Sequence, residues 1–576
     1  MITSEKEGAL PEYYAEASVD GSLPTEEELT TLRRVSGPVP WTAYTIGLVE
    51  LCERFSYYGT TAVFVNFIQR DLPPGSVTGA GGHEGQSGAL GMGQRASTGL
   101  TTFNAFWAYT MPLIGAYVAD EYWGRYKTIM VAIGVAIVGH IILIISAIPE
   151  VIVHPNGAIA CFSVGLIIMG IGVGGFKSNI SPLIAEQYKQ SALEVKTLPS
   201  GERVIVDSTL TVSRIYMYFY MMINVGSLAG SVAMVYAEKY VGFWLSFTLP
   251  TILFLFCPMI MFLCRNKYST SPPTGSVTSK AWNACMLAMK GRWSINPVKT
   301  YRNLHADDFW DACKPSKIDP ASRPTWMTFD DEWVDQLRRG LLACKVFLWY
   351  PLYWLAYNQM TNNLTSQAAT MQLHGIPNDI LGNLNPLSLI IIIPICDIWI
   401  YPGLRKAGIR FTPVKRIAMG FMMGTLAMIW STVTQYYIYK LNPCGDHPNS
   451  CTEVAPINVW VQTGAYVFIA LSEIFASITG LEYAFTKAPK NMRSLVMAIN
   501  LFMTAISSAL GQALVALSDD PLLVWNYGSV AVLAFIGGVL FWLQNRKLDA
   551  EEDALNMLPE SNFEGIVKEN SFGDHS

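Results

Sequence analysis

Twelve stretches of the chain are apolar over the length of a bilayer-crossing helix, which takes about 20 residues. Their approximate limits are 41–67, 96–119, 129–148, 157–186, 213–236 and 243–264, then 341–372, 380–401, 412–438, 456–486, 492–517 and 522–543. This pattern predicts an all-α membrane protein. Six spans on either side of a long polar segment predict two pseudo-symmetric six-helix bundles. Their limits are residues 41–264 and 341–543, joined by an insert at 265–340 and flanked by polar tails at 1–40 and 544–576. Charged residues make up 14% of the chain, well under the roughly 25% of soluble domains. The net charge of −5 comes with no basic block that would suit nucleic acid.

Lys and Arg set the expected orientation, because cytoplasmic loops carry an excess of them. The loops after spans 2, 4, 8 and 10 hold Arg125 and Lys127; Lys189, Lys196 and Arg203; Arg405, Lys406 and Arg410; and Lys487, Lys490 and Arg493. The loops after spans 3, 7 and 11 hold none. Both termini are therefore expected in the cytoplasm. The 265–340 insert, with 12 Lys or Arg, reads as a cytoplasmic tether with short amphipathic helices near Trp282–Met289 and Asp330–Arg339. Residues 70–95 read as a flexible, Gly-rich outer loop. Cys444 and Cys451 share a short outer loop, and the sequence leaves a disulfide between them open. Pro112, Pro182, Pro351, Pro386 and Pro394 lie in or near apolar runs, where proline permits kinks.

Span 1 carries an energetic anomaly. Glu50, Glu53 and Arg54 fall inside its apolar run, and three such groups facing lipid would cost roughly 7–10 kcal/mol. Glu50, Glu53, Arg54, Tyr57 and Thr61 follow one another at i, i+3, i+4, i+7 and i+11, so they share one helix face. That face must meet protein or a water-filled cavity, and an ionisable face inside a membrane points to function.

Around the end of span 2 the chain reads Gly115-Ala-Tyr-Val-Ala-Asp120-Glu-Tyr-Trp-Gly124-Arg125-Tyr-Lys127. This resembles the Gly-x-x-x-Asp-x-x-x-Gly-Arg-x-Lys motif of the major facilitator superfamily. There Gly115, Asp120, Gly124, Arg125 and Lys127 would form a charge relay that holds one conformation. Glu50-x-x-Glu53-Arg54-Phe55, Phe219-Tyr-Met-Met-Ile-Asn224-Val-Gly-Ser227, and Ser472-Glu473 followed by Gly480-Leu-Glu-Tyr483 are similar to the proton-dependent oligopeptide transporter family, and to its fungal members in particular. The resemblance covers nearly the whole chain between the tails. It implies a major facilitator fold and a monomeric symporter that takes dipeptides and tripeptides across the plasma membrane by alternating access, with protons and no other cofactor. No nucleophile–base or metal motif suggests an enzyme.

A site for many peptides must hold what all peptides share: an ammonium, a carboxylate and amides. Arg54 and Lys177 suit the carboxylate and Glu473 the ammonium. Asn224 and Asn385 suit amides, while Tyr57, Tyr58 and Tyr109 offer apolar rings with polar tips. The resemblance implies the same roles for Tyr57, Tyr58, Tyr109, Lys177, Asn224, Asn385 and Glu473. Proton coupling falls to Glu50 and Glu53 beside Arg54. A peptide carboxylate that claims Arg54 or Lys177 would leave an acid without its base, and that acid would take a proton. The plainer alternative is that these bases only neutralise neighbouring acids. Asp397 and Glu482 are weaker candidates. The sequence also departs from the family pattern. Many members place an Arg where this chain has Thr61 and an acid where it has Asn358, a pair assigned to the outer gate. Closure is expected instead through polar and aromatic contacts, with Lys177 and Glu473 bridging the halves. Another small anionic or zwitterionic solute such as nitrate, or a peptide sensor without transport, are the competing readings.

Overall fold

The computed structural model describes residues 24–546 apart from 83–84, 190–192, 271, 274, 293, 295, 305, 307, 320–321, 408–410, 482, 484–488 and 490–491. Each of the twelve predicted spans contains helix. In chain order these are α1 (Trp41–Ala62, continued by Phe64–Gln69), α2 (Gly93–Val118), α3 (Arg125–Ser146), α4 (Pro155–Glu186), α5 (Ser208–Tyr240) and α6 (Phe243–Phe254, continued by Phe256–Leu263). Then come α7 (Tyr350–Asn358), α8 (Leu384–Ile395), α9 (Pro413–Leu441), α10 (Thr463–Ser472), α11 (Arg493–Leu514) and α12 (Leu523–Asn545). Among the described residues, nine helices are long and apolar enough to cross a membrane. The spans that fall short are α1 and α2, which carry polar faces, and α7. Helix α7 is nine residues long, flanked by tighter 3₁₀ turns at Cys344–Trp349 and Gln359–Thr361.

The packing of the first six helices recurs six places later. Helix α1 packs on α5 and α6, α2 on α4, and α3 on α4 and α6. In the same way α7 packs on α11 and α12, α8 on α10, and α9 on α10 and α12. Glycines permit the closest approaches. A Cβ at Gly226 or Gly230 of α5 would stand 2.5 Å from the Leu51 carbonyl oxygen or 2.3 Å from that of Phe55. The backbone of α5 therefore lies directly against α1 beside Glu50–Arg54. Two of the five prolines do not interrupt helices. Pro351 and Pro386 lie in the first turns of α7 and α8, just after 3₁₀ turns. Pro112, Pro182 and Pro394 are internal.

At one end of the bundle, here called the sheet end, β1 (Arg33–Ser36), β2 (Glu194–Thr197) and β3 (Arg203–Asp207) form a sheet in the order β1-β3-β2. Strand β1 runs parallel to β3, from Arg33 opposite Val204 to Ser36 opposite Asp207. The N-terminal segment, read as a polar tail to residue 40, is thus part of the fold from Thr25 onward. Thr25 and Glu28 form a reciprocal cap at the start of the helix Glu26–Thr31. Arg203 reaches Glu28 at 2.6 Å and Arg33 reaches Glu202 at 3.1 Å. The Thr25 backbone N–H, and then Arg203, hold the Glu28 carboxyl below its ordinary range.

The opposite end, here the loop end, carries β4 (Met371–Gln372) beside β5 (Ala455–Asn458) and the Cys444–Cys451 disulfide. The 70–95 loop, expected to be flexible, folds back onto α1. The N–H groups of Ala89 and Leu90 donate to the carbonyls of Arg70 and Phe67, and both side chains are buried. The middle insert is likewise packed. Its helices Val277–Met289 and Asp331–Ala343 enclose Trp333, with Ala281, Ala284 and Leu337, against Met492 and Leu495 of the second half. Its other end is bonded to the first half: the N–H groups of Gly275 and Ser276 donate to the Asp120 carbonyl and the Glu121 carboxylate. The insert therefore straps the two halves together at the sheet end.

Candidate functional site

The polar face of α1 is buried in protein, as its desolvation cost demands. Glu50, Glu53 and Arg54 are each 3% exposed or less. Arg54 Nε stands 3.0 Å from Glu50 Oε1 and 2.5 Å from Glu53 Oε2. One guanidinium thus serves two acids, and Glu50 Oε2 and Glu53 Oε1 receive no hydrogen bond among the described residues. The outer side of Arg54 faces Tyr57 and Tyr58, whose ring centroids lie 5.7 and 5.9 Å from Cζ. The two rings meet edge to face at 5.3 Å.

Lys177 enters from α4 and lies within electrostatic reach of Arg54, Glu53 and Glu50. Its Nζ stands over Tyr109 of α2, 4.3 Å from the ring centroid. No ion pair within 4.0 Å joins it to an acid among the described residues. Glu473 opens a π turn, Glu473–Ile478, that follows α10; such turns often mark functional positions. Its Oε2 accepts from Asn385 Nδ2 of α8 at 3.0 Å. Asn385 is therefore engaged by Glu473, and the expected Lys177–Glu473 bridge is not formed here. Tyr357 also stands at Glu473, within reach of Tyr58 and Tyr109 of the other half. Asn224 is exposed and donates to the Tyr220 carbonyl of its own helix. Arg54, Tyr57, Tyr58, Tyr109 and Lys177 of the first half thus stand near Glu473, Asn385 and Tyr357 of the second, while Asn224 bonds only within its own helix. Glu482 and the side chain of Asp397 lie outside the described residues.

This space is closed at the loop end. Asn66 of α1 and Asn378, just before α8, exchange amide hydrogen bonds of 2.8 and 3.0 Å. Ser366 donates to Gln69, and Gln94 and Thr98 both donate to Asn363. These contacts are all polar, where polar and aromatic ones were expected, and they lie beyond Thr61 and Asn358. Thr61 only bonds the Tyr57 carbonyl. Asn358 lines a polar cleft with Gln359, Asn362 and Asn526. Tyr220 stands within reach of Glu473 and of Tyr58, and Tyr58 and Tyr220 are 40% and 63% exposed. The gate amides went unrecognised in the sequence because each is a single neutral residue at the end of a span. The signal available was their density: Asn362, Asn363, Gln367 and Asn378 within one short stretch.

The charge relay takes a different form from the one the motif suggests. Gly124 adopts φ 73°, a left-handed conformation open to glycine, and turns the chain between α2 and α3. That turn sets Arg125 beside the end of α4, where it pairs with Glu186. Asp120 lies in the preceding π turn and holds the insert through its carbonyl. Lys127 stands 5.8 Å from the Trp123 ring centroid. Gly115 lets α2 meet α4, since a Cβ there would lie 2.6 Å from Gly175 Cα.

Comparisons with known proteins agree with this geometry. The family model described as "PTR2: POT family" matches residues 126–530. The chain is 41% identical to "Peptide transporter PTR_C" of Candidozyma auris, over 97% of this chain and 93% of that protein. It is 42% identical to "Probable peptide transporter ptr2" of Schizosaccharomyces pombe, over 96% and 85%. The crystal structure of the POT family transporter PepTSo superposes with a TM-score of 0.69, at 19% identity, over 89% of this chain and 99% of that one. At that identity the likeness speaks for the fold alone, which is that of the major facilitator transporters. Matched along most of its length by the family model and by fungal relatives, the chain belongs to the POT family.

Proposed function

We propose that the protein imports dipeptides and tripeptides together with protons across the plasma membrane by alternating access, as a monomer. The two bundles, residues 41–264 and 341–543, rock about the site; both termini and the sheet end face the cytoplasm. The observation that carries this reading is the pairing of opposite charges across one space. Lys177, with no ion-pair partner among the described residues, comes from one half and Glu473 from the other, with tyrosines between them. A zwitterionic peptide fits that arrangement, its carboxylate at Lys177 and Arg54 and its ammonium at Glu473. The fungal relatives named as peptide transporters support the same substrate class.

Coupling follows from the shared guanidinium. Arg54 pairs with both Glu50 and Glu53 while the site is empty, one positive charge shared by two acids. A peptide carboxylate at Arg54 draws it away from one of them. A buried carboxylate stripped of its partner is costly by several kcal/mol, and a proton removes that cost. Peptide and proton therefore enter together. One charge crossing 100 mV contributes about 2.3 kcal/mol, enough for roughly fifty-fold accumulation of a neutral solute.

Purified protein in proteoliposomes tests this directly. Under an inward acid gradient, a labelled dipeptide accumulates above its external concentration and nitrate does not. Uptake of nitrate without peptide, or peptide binding without accumulation, contradicts the proposal.

A further inference from the structure

A second pair of acids lies at the loop end, away from the peptide site. Glu238 stands in the last turn of α5 in the first half and Asp379 just before α8 in the second. They are 1% and 5% exposed. Their carboxyl groups lie within hydrogen-bonding reach of each other across the junction between halves. Glu238 Oε1 accepts from Asn66 Nδ2 at 3.0 Å, the same amide that binds Asn378. Ser87 also stands within hydrogen-bonding reach of Glu238, whereas neither Asp379 oxygen has a donor among the described residues.

The charged and titratable groups around the pair do not supply one. Arg70, at the end of α1, acts on both acids at a distance. No ion pair within 4.0 Å joins it to either among the described residues. Lys239 is the next residue along α5 and Tyr466 faces Asp379 from α10. Two acids this close and dry, one of them without any donor, cannot both be ionised. A proton held between them satisfies the orphaned oxygens.

We propose that Glu238 and Asp379 bind one proton between them and that this shared proton latches the two halves together at the loop end. The latch is distinct from the Glu50, Glu53 and Arg54 cluster. It closes the gate when the solution at the loop end is acidic, and loss of the proton places two like charges across the junction and parts it. Its place on the outer face rests on the orientation proposed above; its chemistry does not.

The test needs neither peptide nor gradient. Nitroxides at exposed positions on either half of the loop end, Val153→Cys and Trp460→Cys, report gate distance in reconstituted protein by pulsed electron resonance. In otherwise native protein the ratio of long to short distances rises with pH between 5 and 9. Its slope approaches tenfold per pH unit, the limit for one linked proton. Asp379→Asn, and independently Glu238→Gln, which keeps the carbonyl that accepts from Asn66, each leave the gate closed and the ratio flat. A flat native ratio overturns the proposal. So does a slope that survives both substitutions, or one that Glu53→Gln removes while Asp379→Asn leaves it. Failure of peptide uptake would leave these outcomes readable.

Discussion

Lys177 stands over the ring of Tyr109, 4.3 Å from its centroid, and among the described residues meets no acid within 4.0 Å. An ammonium desolvated by protein and held by an aromatic face, without an ion-pair partner, is available to an incoming anion. Lys177→Ala removes that partner, and a hydrogen bond to a charged group contributes about 1.5–3 kcal/mol. Dipeptide affinity should fall by about tenfold or more. Amidating the peptide carboxylate should produce the same loss in the native protein and little further loss in the variant. Unaltered affinity by calorimetry would reduce Lys177 to a packing counter-ion.

Glu473 is held toward the space between the halves by Asn385. Glu473→Gln keeps an acceptor for Asn385 and removes the charge. Binding of free dipeptides should weaken by about tenfold or more, on the same energetic basis. Binding of N-acetylated dipeptides should change little. Equal effects on both ligands would place the peptide ammonium elsewhere.

The close approach of α5 to α1 rests on Gly226 and Gly230. A Gly226→Val side chain would have to occupy the Leu51 backbone, which cannot move as a side-chain tip does. Overpacking of this kind costs about 1–3 kcal/mol. The melting temperature should drop, and peptide affinity should fall with it because Arg54 lies one turn away on α1. A Gly134→Ala control, where a Cβ meets open space, should be neutral. Equal stability of the two variants would contradict the packing account.

The N-terminal clamp has a pH limit. Glu28 is held below its ordinary value of 4.5, chiefly by the Thr25 backbone and then by Arg203. A lowered carboxyl contributes stability above its unfolded value and loses it as pH falls through the folded one. A nitroxide at Thr31→Cys should therefore stay ordered above pH 5 and become mobile in more acid solution. Mobility independent of pH would show that the sheet alone holds the segment.

The helices were legible because apolar runs of bilayer length are long, strong signals. The charges of α1 were legible because their cost in lipid admits few explanations. What could not be read was pairing. Arg125 could be assigned to a relay from its motif, but its partner Glu186 lies 61 residues on and only the packing of α3 on α4 brings them together. The strands β1 to β3 are four or five residues each, too short to stand out from loops. Glu238 and Asp379 lie just outside the limits of their apolar spans, in no motif. Their burial depends on the closure of two halves that the sequence does not juxtapose.

The central claim is that the acids on α1 carry the proton that accompanies the peptide. Glu53→Gln tests it most directly, in proteoliposomes with a labelled dipeptide. Under an inward acid gradient the variant should show no accumulation above the external concentration. It should still exchange labelled for unlabelled peptide when both sides are loaded, because Arg54, Lys177 and Glu473 remain. Accumulation at the native level in that variant would contradict the account.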